Sequence, residues 1–200
     1  AVMGSKKLKA IAIRGSEGLK PKNPGKIMDL YKSLTNKIIE AYGSIDLLNN
    51  LVNYNLPGHN FKKASVEEKK GFTNLIDQIQ KYKLKKESFQ QFPISLSALY
   101  QADGITTPVT LGGIAIGVLN GIYNADTIIK AEHLCYSLGI DPLSMAVVMS
   151  LANELKDRKE PISSDIGWGK DKESLDFIKS IVNDENIFAN GVRYAADKFN

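Results

Sequence analysis

The stretch Asp126-Thr127-Ile128-Ile129-Lys130-Ala131-Glu132-His133-Leu134-Cys135-Tyr136-Ser137-Leu138-Gly139-Ile140-Asp141-Pro142 decides the fold class. It reads as a helix from about Asp126 to Leu138, stopped by Gly139, and followed at once by an Asp-Pro pair that caps and opens the next helix. That second helix turns Met145, Val148, Leu151, Ala152 and Leu155 inward at spacings of three and four. Just upstream, Val109 to Ile122 carries Gly112, Gly113, Gly117 and Gly121, which leave grooves where either another backbone or a ligand can approach. Downstream, 162–169 reads as loop. Asp171 then caps a helix bearing Leu175, Ile178 and Ile181, and a last helix holds Phe188, Val192, Ala195 and Phe199.

The pattern continues toward the N-terminus. Ser65-Val66-Glu67-Glu68 has capping-box spacing and opens a helix with Phe72, Leu75, Ile76, Ile79 and Tyr82 on one side. Asn23-Pro24 starts another, whose face is Ile27, Leu30, Tyr31, Leu34, Ile38 and Ala41, with Gly43 at its end. Ser44 caps a short helix through Leu47 and Leu51 that must stop before Pro57, and 53–60 reads as loop. Phe89 to Leu99, broken by Pro93, reads as a turn feeding a short helix. Lys7 to Arg14 alternates polar and apolar, the signature of a short half-buried strand, and Gly18 to Gly25 is a linker. The expected fold is all-α, a multihelical domain with one short N-terminal strand.

Composition narrows the function. Lysine and arginine number 26 against 22 acidic residues, and the lysines are spread along the chain, so nucleic acid is not expected as a partner. The group from Lys81 to Lys86 either attracts an acidic partner or complements a helix end. The longest apolar run, Leu111 to Ile122, is too short to span a bilayer, so no membrane is expected. A single cysteine forms neither an internal disulfide nor a four-thiolate cluster cage, and the expected compartment is reducing cytoplasm. The chain opens at Ala1 and its strand has no evident partner, which together suggest a segment of something longer.

Tests for chemistry find little. Nitrogen and sulfur ligands are confined to His59, His133 and Cys135, and the last two, spaced two apart on one helix, point in different directions. No metal site is expected, and Cys135 reads as a small buried hydrophobe. No nucleophile elbow, phosphate loop or dinucleotide fingerprint stands at a strand-to-helix junction. Trp168 either stacks on a ligand or plugs a core edge. Asp141 either accepts hydrogen bonds from a cofactor at its corner or simply caps its helix. From the residues alone, this is a helical domain with no catalytic residue of its own.

Several stretches, in order, resemble the aldehyde:ferredoxin oxidoreductase family, tungsten- or molybdenum-pterin enzymes of anaerobic and thermophilic metabolism. Ala1 to Ile11 is similar to that family's A-V-M-G-S-K-N-L-K-A-I segment. Ala41-Tyr42-Gly43-Ser44 and Leu56-Pro57-Gly58-His59-Asn60-Phe61 resemble its Y-G-T and L-P-x-x-N-F landmarks. Leu134 to Ser144 is similar to L-C-N-x-L-G-L-D-T-I-S, and Gly191 to Ala196 to G-V-R-x-A-A. The resemblance implies that 1–24 leave an absent pterin-binding domain and 25–200 form the helical middle domain. It implies partners in the other domains of a parent protein, and a homodimer.

The departures matter as much. Where the family has C-x-x-C-P-I-x-C, this chain has Phe89-Gln90-Gln91-Phe92-Pro93-Ile94-Ser95-Leu96, so no 4Fe-4S cluster is expected. Where it has G-P-E-Y-E, Thr107-Pro108-Val109-Thr110-Leu111 lacks both carboxylates. The E-x-x-H pair becomes Lys130-x-x-His133, and the pterin-contacting D-x-x-G-L-D becomes Tyr136-Ser137-Leu138-Gly139-Ile140-Asp141. The resemblance therefore leaves Gly139, Ile140 and Asp141 as the cofactor-binding candidates, with no cofactor held by this chain alone and tungstopterin or molybdopterin in the full-length parent. The alternatives are a non-catalytic binding or scaffold protein that uses Gly112 to Gly121 as its surface, and an active aldehyde oxidoreductase that draws cysteines from elsewhere.

Overall fold

Leu111–Asn120 is an unfavourable helix in isolation, since Gly112, Gly113 and Gly117 each cost roughly 1 kcal/mol relative to alanine. It forms because the rest of the molecule surrounds it. The computed structural model describes residues 2–18, 20–42, 57–87, 97–182 and 186–199. In order these give α1 (Val2–Ser5), α2 (Pro24–Tyr42), the short turn α3 (Gly58–Phe61) and α4 (Val66–Lys81). Then come β1 (Lys83–Glu87), β2 (Ser97–Ala102), β3 (Ile105–Pro108), α5 (Leu111–Asn120), α6 (Ala125–Leu138) and α7 (Pro142–Asp157). The C-terminal part is α8 (Asp171–Ser180), a 3-10 turn (Ile187–Asn190) and α9 (Gly191–Lys198).

α5 is the axis of the core, and its missing side chains admit its neighbours. A Cβ on Gly112 would lie 2.7 Å from Pro142 Cβ and 2.9 Å from Leu143 N at the start of α7. One on Gly117 would lie 2.9 Å from Ile122 O and 3.0 Å from the Leu75 side chain of α4. The glycines are therefore packing residues, their grooves filled from within the chain and not offered as an interaction surface. Asn120, wholly buried, donates to Ala146 O at 3.2 Å and accepts from Asn153 at 3.0 Å, pinning the end of α5 along α7. Ile116, Ile128, Ile129, Met145 and Met149 close the core around it.

The helical expectation holds, with a small strand element, but that element is not where the alternation placed it. Residues 8–15 are irregular and exposed. Period-two alternation does not make a strand when no partner among the described residues accepts its backbone groups. The sheet instead runs antiparallel in the order β1-β2-β3, with Tyr100 opposite Thr107 and Ala102 opposite Ile105. Its hairpin turn is Asp103-Gly104, both at positive φ (48° and 76°), the conformation that a two-residue β-turn demands. Of the lysine group, Lys81 ends α4 while Lys83, Lys85 and Lys86 lie on β1.

The face of α2 was expected to be buried, yet Ile27, Leu30, Tyr31 and Leu34 are exposed among the described residues. The expected Ser44 helix and most of the Phe89 to Leu99 stretch lie outside the described residues, and Ser97 to Leu99 at its end belongs to β2. No single described helix is long and apolar enough to cross a membrane.

Close packing at Gly117 makes a prediction that opposes helix propensity. Gly117→Ala should destabilise the fold by about 1–3 kcal/mol, because the added methyl meets a backbone carbonyl. A urea midpoint equal to or above that of the parent sequence would show that α5 is not packed this tightly.

Candidate functional site

The sequence candidates Gly139, Ile140 and Asp141 form the corner between α6 and α7, whose axes bend by 112° there. Gly139 takes the left-handed conformation (φ 72°, ψ 29°) that ends α6, and Ile140 N donates back to Cys135 O at 2.7 Å. Ile140 packs its side chain on the core. Asp141 caps α7, accepting from Ser144 N at 2.7 Å, and Pro142 follows at the first helical position. A Cβ built on Gly139 would meet nothing within 4 Å, so the turn faces open space. Tyr136, Leu138 and Leu143 are exposed beside it, and Leu111 is exposed at the start of α5, which Gly112 holds against Pro142.

Behind this corner stands a carboxylate that motif reading missed. Glu132 is wholly buried, and its oxygens accept from Thr110 N at 3.0 Å, Thr110 Oγ1 at 2.5 Å and Tyr136 Oη at 3.0 Å. Burial raises the Glu132 carboxyl above the usual carboxylate range, and these donors together with Gly113 N–H partly oppose that shift. Burial and the Glu132 charge push the Tyr136 phenol up to about 12. Cys135, on the inner face of α6, is wholly buried with its thiol pushed up to about 12, chiefly by burial. His133 lies within 3.4 Å of Ser137 Oγ on the same helix. Among the described residues no three His, Cys, Asp or Glu side chains gather as a metal site.

The L-P-x-x-N-F landmark folds into α3, where His59, Asn60 and Phe61 all have positive φ (50°, 53° and 65°). Three consecutive non-glycine residues in this region carry strain that side-chain bonds must offset. Asn60 Nδ2 donates to Glu154 at 2.6 Å and Asn60 Oδ1 accepts from Ser150 at 3.3 Å, both on α7. Glu154 lies thirteen positions beyond Asp141, roughly 20 Å along the helix axis. His59 Nδ1 lies 3.1 Å from Glu68 Oε1, a contact that is an ion pair only when the imidazole is protonated, and Tyr123 donates its hydroxyl to the same carboxylate. Glu68 has the spacing of the far half of a capping box begun by Ser65. Ser65 does accept from Glu68 N at 3.2 Å, but the glutamate side chain turns to His59 and Tyr123 instead. Trp168 is half-buried over the α3 turn, where it lies on His59 with ring centroids 4.9 Å apart and donates to Asp157 at 2.7 Å.

Burial lowers the basicity of His59 more than Glu68 and Asp157 raise it, with Lys63 adding to the depression. The folded chain then holds the His59 proton less tightly than the unfolded chain, whose imidazole titrates near 6.5. The stability contributed by His59 should be complete above that pH and lost as pH falls below it. Urea unfolding followed by Trp168, the single tryptophan, should show a midpoint that drops as pH falls below 6.5, and His59→Gln should flatten that drop.

The family model described as "Aldehyde ferredoxin oxidoreductase, domains 2 & 3" matches residues 26–200. The tungsten-containing aldehyde ferredoxin oxidoreductase of Thermococcus kodakarensis is 29% identical, over 84% of this chain and 31% of the relative. That of Pyrococcus horikoshii is 27% identical, over 100% of this chain and 37% of the relative. The active site complex BamBC of benzoyl coenzyme A reductase superposes with a TM-score of 0.71 at 20% identity, covering 100% of this chain and 35% of that one, a likeness of fold. The chain thus spans about a third of the length of these relatives.

Proposed function

Because the chain belongs to the aldehyde ferredoxin oxidoreductase family, we propose that it is the helical domain that holds the Gly139–Asp141 corner against a tungsten- or molybdenum-bearing pterin carried by another domain of its parent. The observation that carries this reading is the open space at Gly139, flanked by an exposed carboxylate and exposed apolar side chains. A pterin offers flat faces and an edge of N–H donors. Asp141 supplies an acceptor, and Tyr136, Leu138 and Leu143 supply apolar surface, the mixture that cofactor pockets commonly use. The bound group would supply the redox chemistry, while this chain would bind, orient and exclude water.

In this reading residues 25–200 are the helical middle domain and 1–24 connect it to the pterin-bearing one. Phenylalanine and leucine at Phe89, Phe92 and Leu96 cannot bind iron, so electrons do not leave through a cluster of the usual kind held here. The exposed face of α2 favours a second reading, a non-catalytic binding protein, because an uncovered apolar stripe marks a contact surface.

Elemental analysis of the full-length parent separates the two readings: tungsten or molybdenum is expected under the first and neither under the second. Within the parent, Asp141→Asn should keep the helix cap, since asparagine caps as well as aspartate, yet lower retained metal several-fold. Unchanged metal content in that variant would count against the corner as a cofactor contact.

A further inference from the structure

We propose that Glu132 is a positioning residue of the corner, whose buried carboxylate ties the Tyr136 hydroxyl to the Thr110 backbone and so fixes the aromatic ring displayed beside Gly139. The proposal rests on the cofactor reading of that corner and assigns its ring orientation to a residue that touches no ligand.

The geometry is one of convergence. Glu132 and Tyr136 are four apart on α6, which puts them on one face, and the phenol reaches back to Glu132 Oε1 at 3.0 Å. Both carboxylate oxygens lie 3.0 Å from Thr110 N, and Oε1 lies 2.5 Å from Thr110 Oγ1. Thr110 Oγ1 also accepts from Gly112 N at 3.1 Å, so its own proton is directed to Glu132. Glu132 is therefore an acceptor on which donors converge from the turn after β3, from Gly113 N–H on α5 and from Tyr136 one turn further along α6. The space is made for it: a Cβ on Gly113 would lie 2.0 Å from Oε2. Of this cluster, Tyr136 alone reaches the surface substantially, with 44% of its area exposed. Its hydroxyl is turned inward while its ring faces out, three residues before Gly139.

Helix capping alone would need the Thr110 bonds and not the Tyr136 bond, which gives the test. Glu132→Gln keeps the shape but sets an amide N–H against one of the donors. In the chain labelled with 13Cζ-tyrosine, with Tyr136 assigned by Tyr136→Phe, the Tyr136 resonance should move in Glu132→Gln while the other tyrosines hold. In the full-length parent, retained tungsten or molybdenum should fall several-fold in Glu132→Gln and in Tyr136→Phe, and no further in the double variant, because one residue acts through the other. Tyr136→Phe leaves the Thr110 bonds intact and serves if the glutamine variant folds poorly. A Tyr136 resonance indifferent to Glu132→Gln, or losses that add in the double variant, would overturn the proposal. A parent holding neither metal would sink the cofactor reading, and the resonance comparison would then decide the Glu132 link alone.

Discussion

Everything in this molecule is arranged around how closely other elements approach α5. Each of its glycines faces a different neighbour: Gly112 the start of α7, Gly113 the Glu132 carboxylate of α6, Gly117 the Leu75 side chain of α4. Gly121, just past its end, meets the His59 ring. Side chains on this helix would push those partners outward, and interiors at crystal-like density have no slack to absorb it. The poor intrinsic helicity of the segment is offset by burial on every side, so α5 is a helix because of its tertiary setting.

That dependence explains what could be read beforehand. The α6–α7 corner was legible because its signals are local: a glycine stop, an aspartate cap and a proline start all lie within four residues. The three-stranded sheet was equally signalled by Asp103-Gly104 between Leu99 to Ala102 and Ile105 to Thr107, a turn dipeptide that alternation at Lys7 to Arg14 outshone. The difference is pairing. A hairpin brings its own partner across a two-residue turn, whereas a solitary alternating run has none.

The acidic residues were the hardest to foresee. Glu68 has the spacing of a local capping partner, and the chain sends its carboxylate to a histidine nine residues back and a tyrosine fifty-five residues on. Glu132 reads as one more charged position on an amphipathic helix, yet it lies in the core because the donors of another segment reach it there. A buried charge survives only where its partners converge from distant parts of the chain. Sequence spacing records the helix face of such a residue and not the company it keeps.

Cys135 has a practical corollary. Its sulfur is sealed inside the core, and burial disfavours its thiolate. Maleimides and disulfide reagents therefore meet no accessible thiol in this chain. An introduced surface cysteine, on the exposed side of α2 or at the corner, would be the sole attachment point for a spin label or dye, with the native residue left in place.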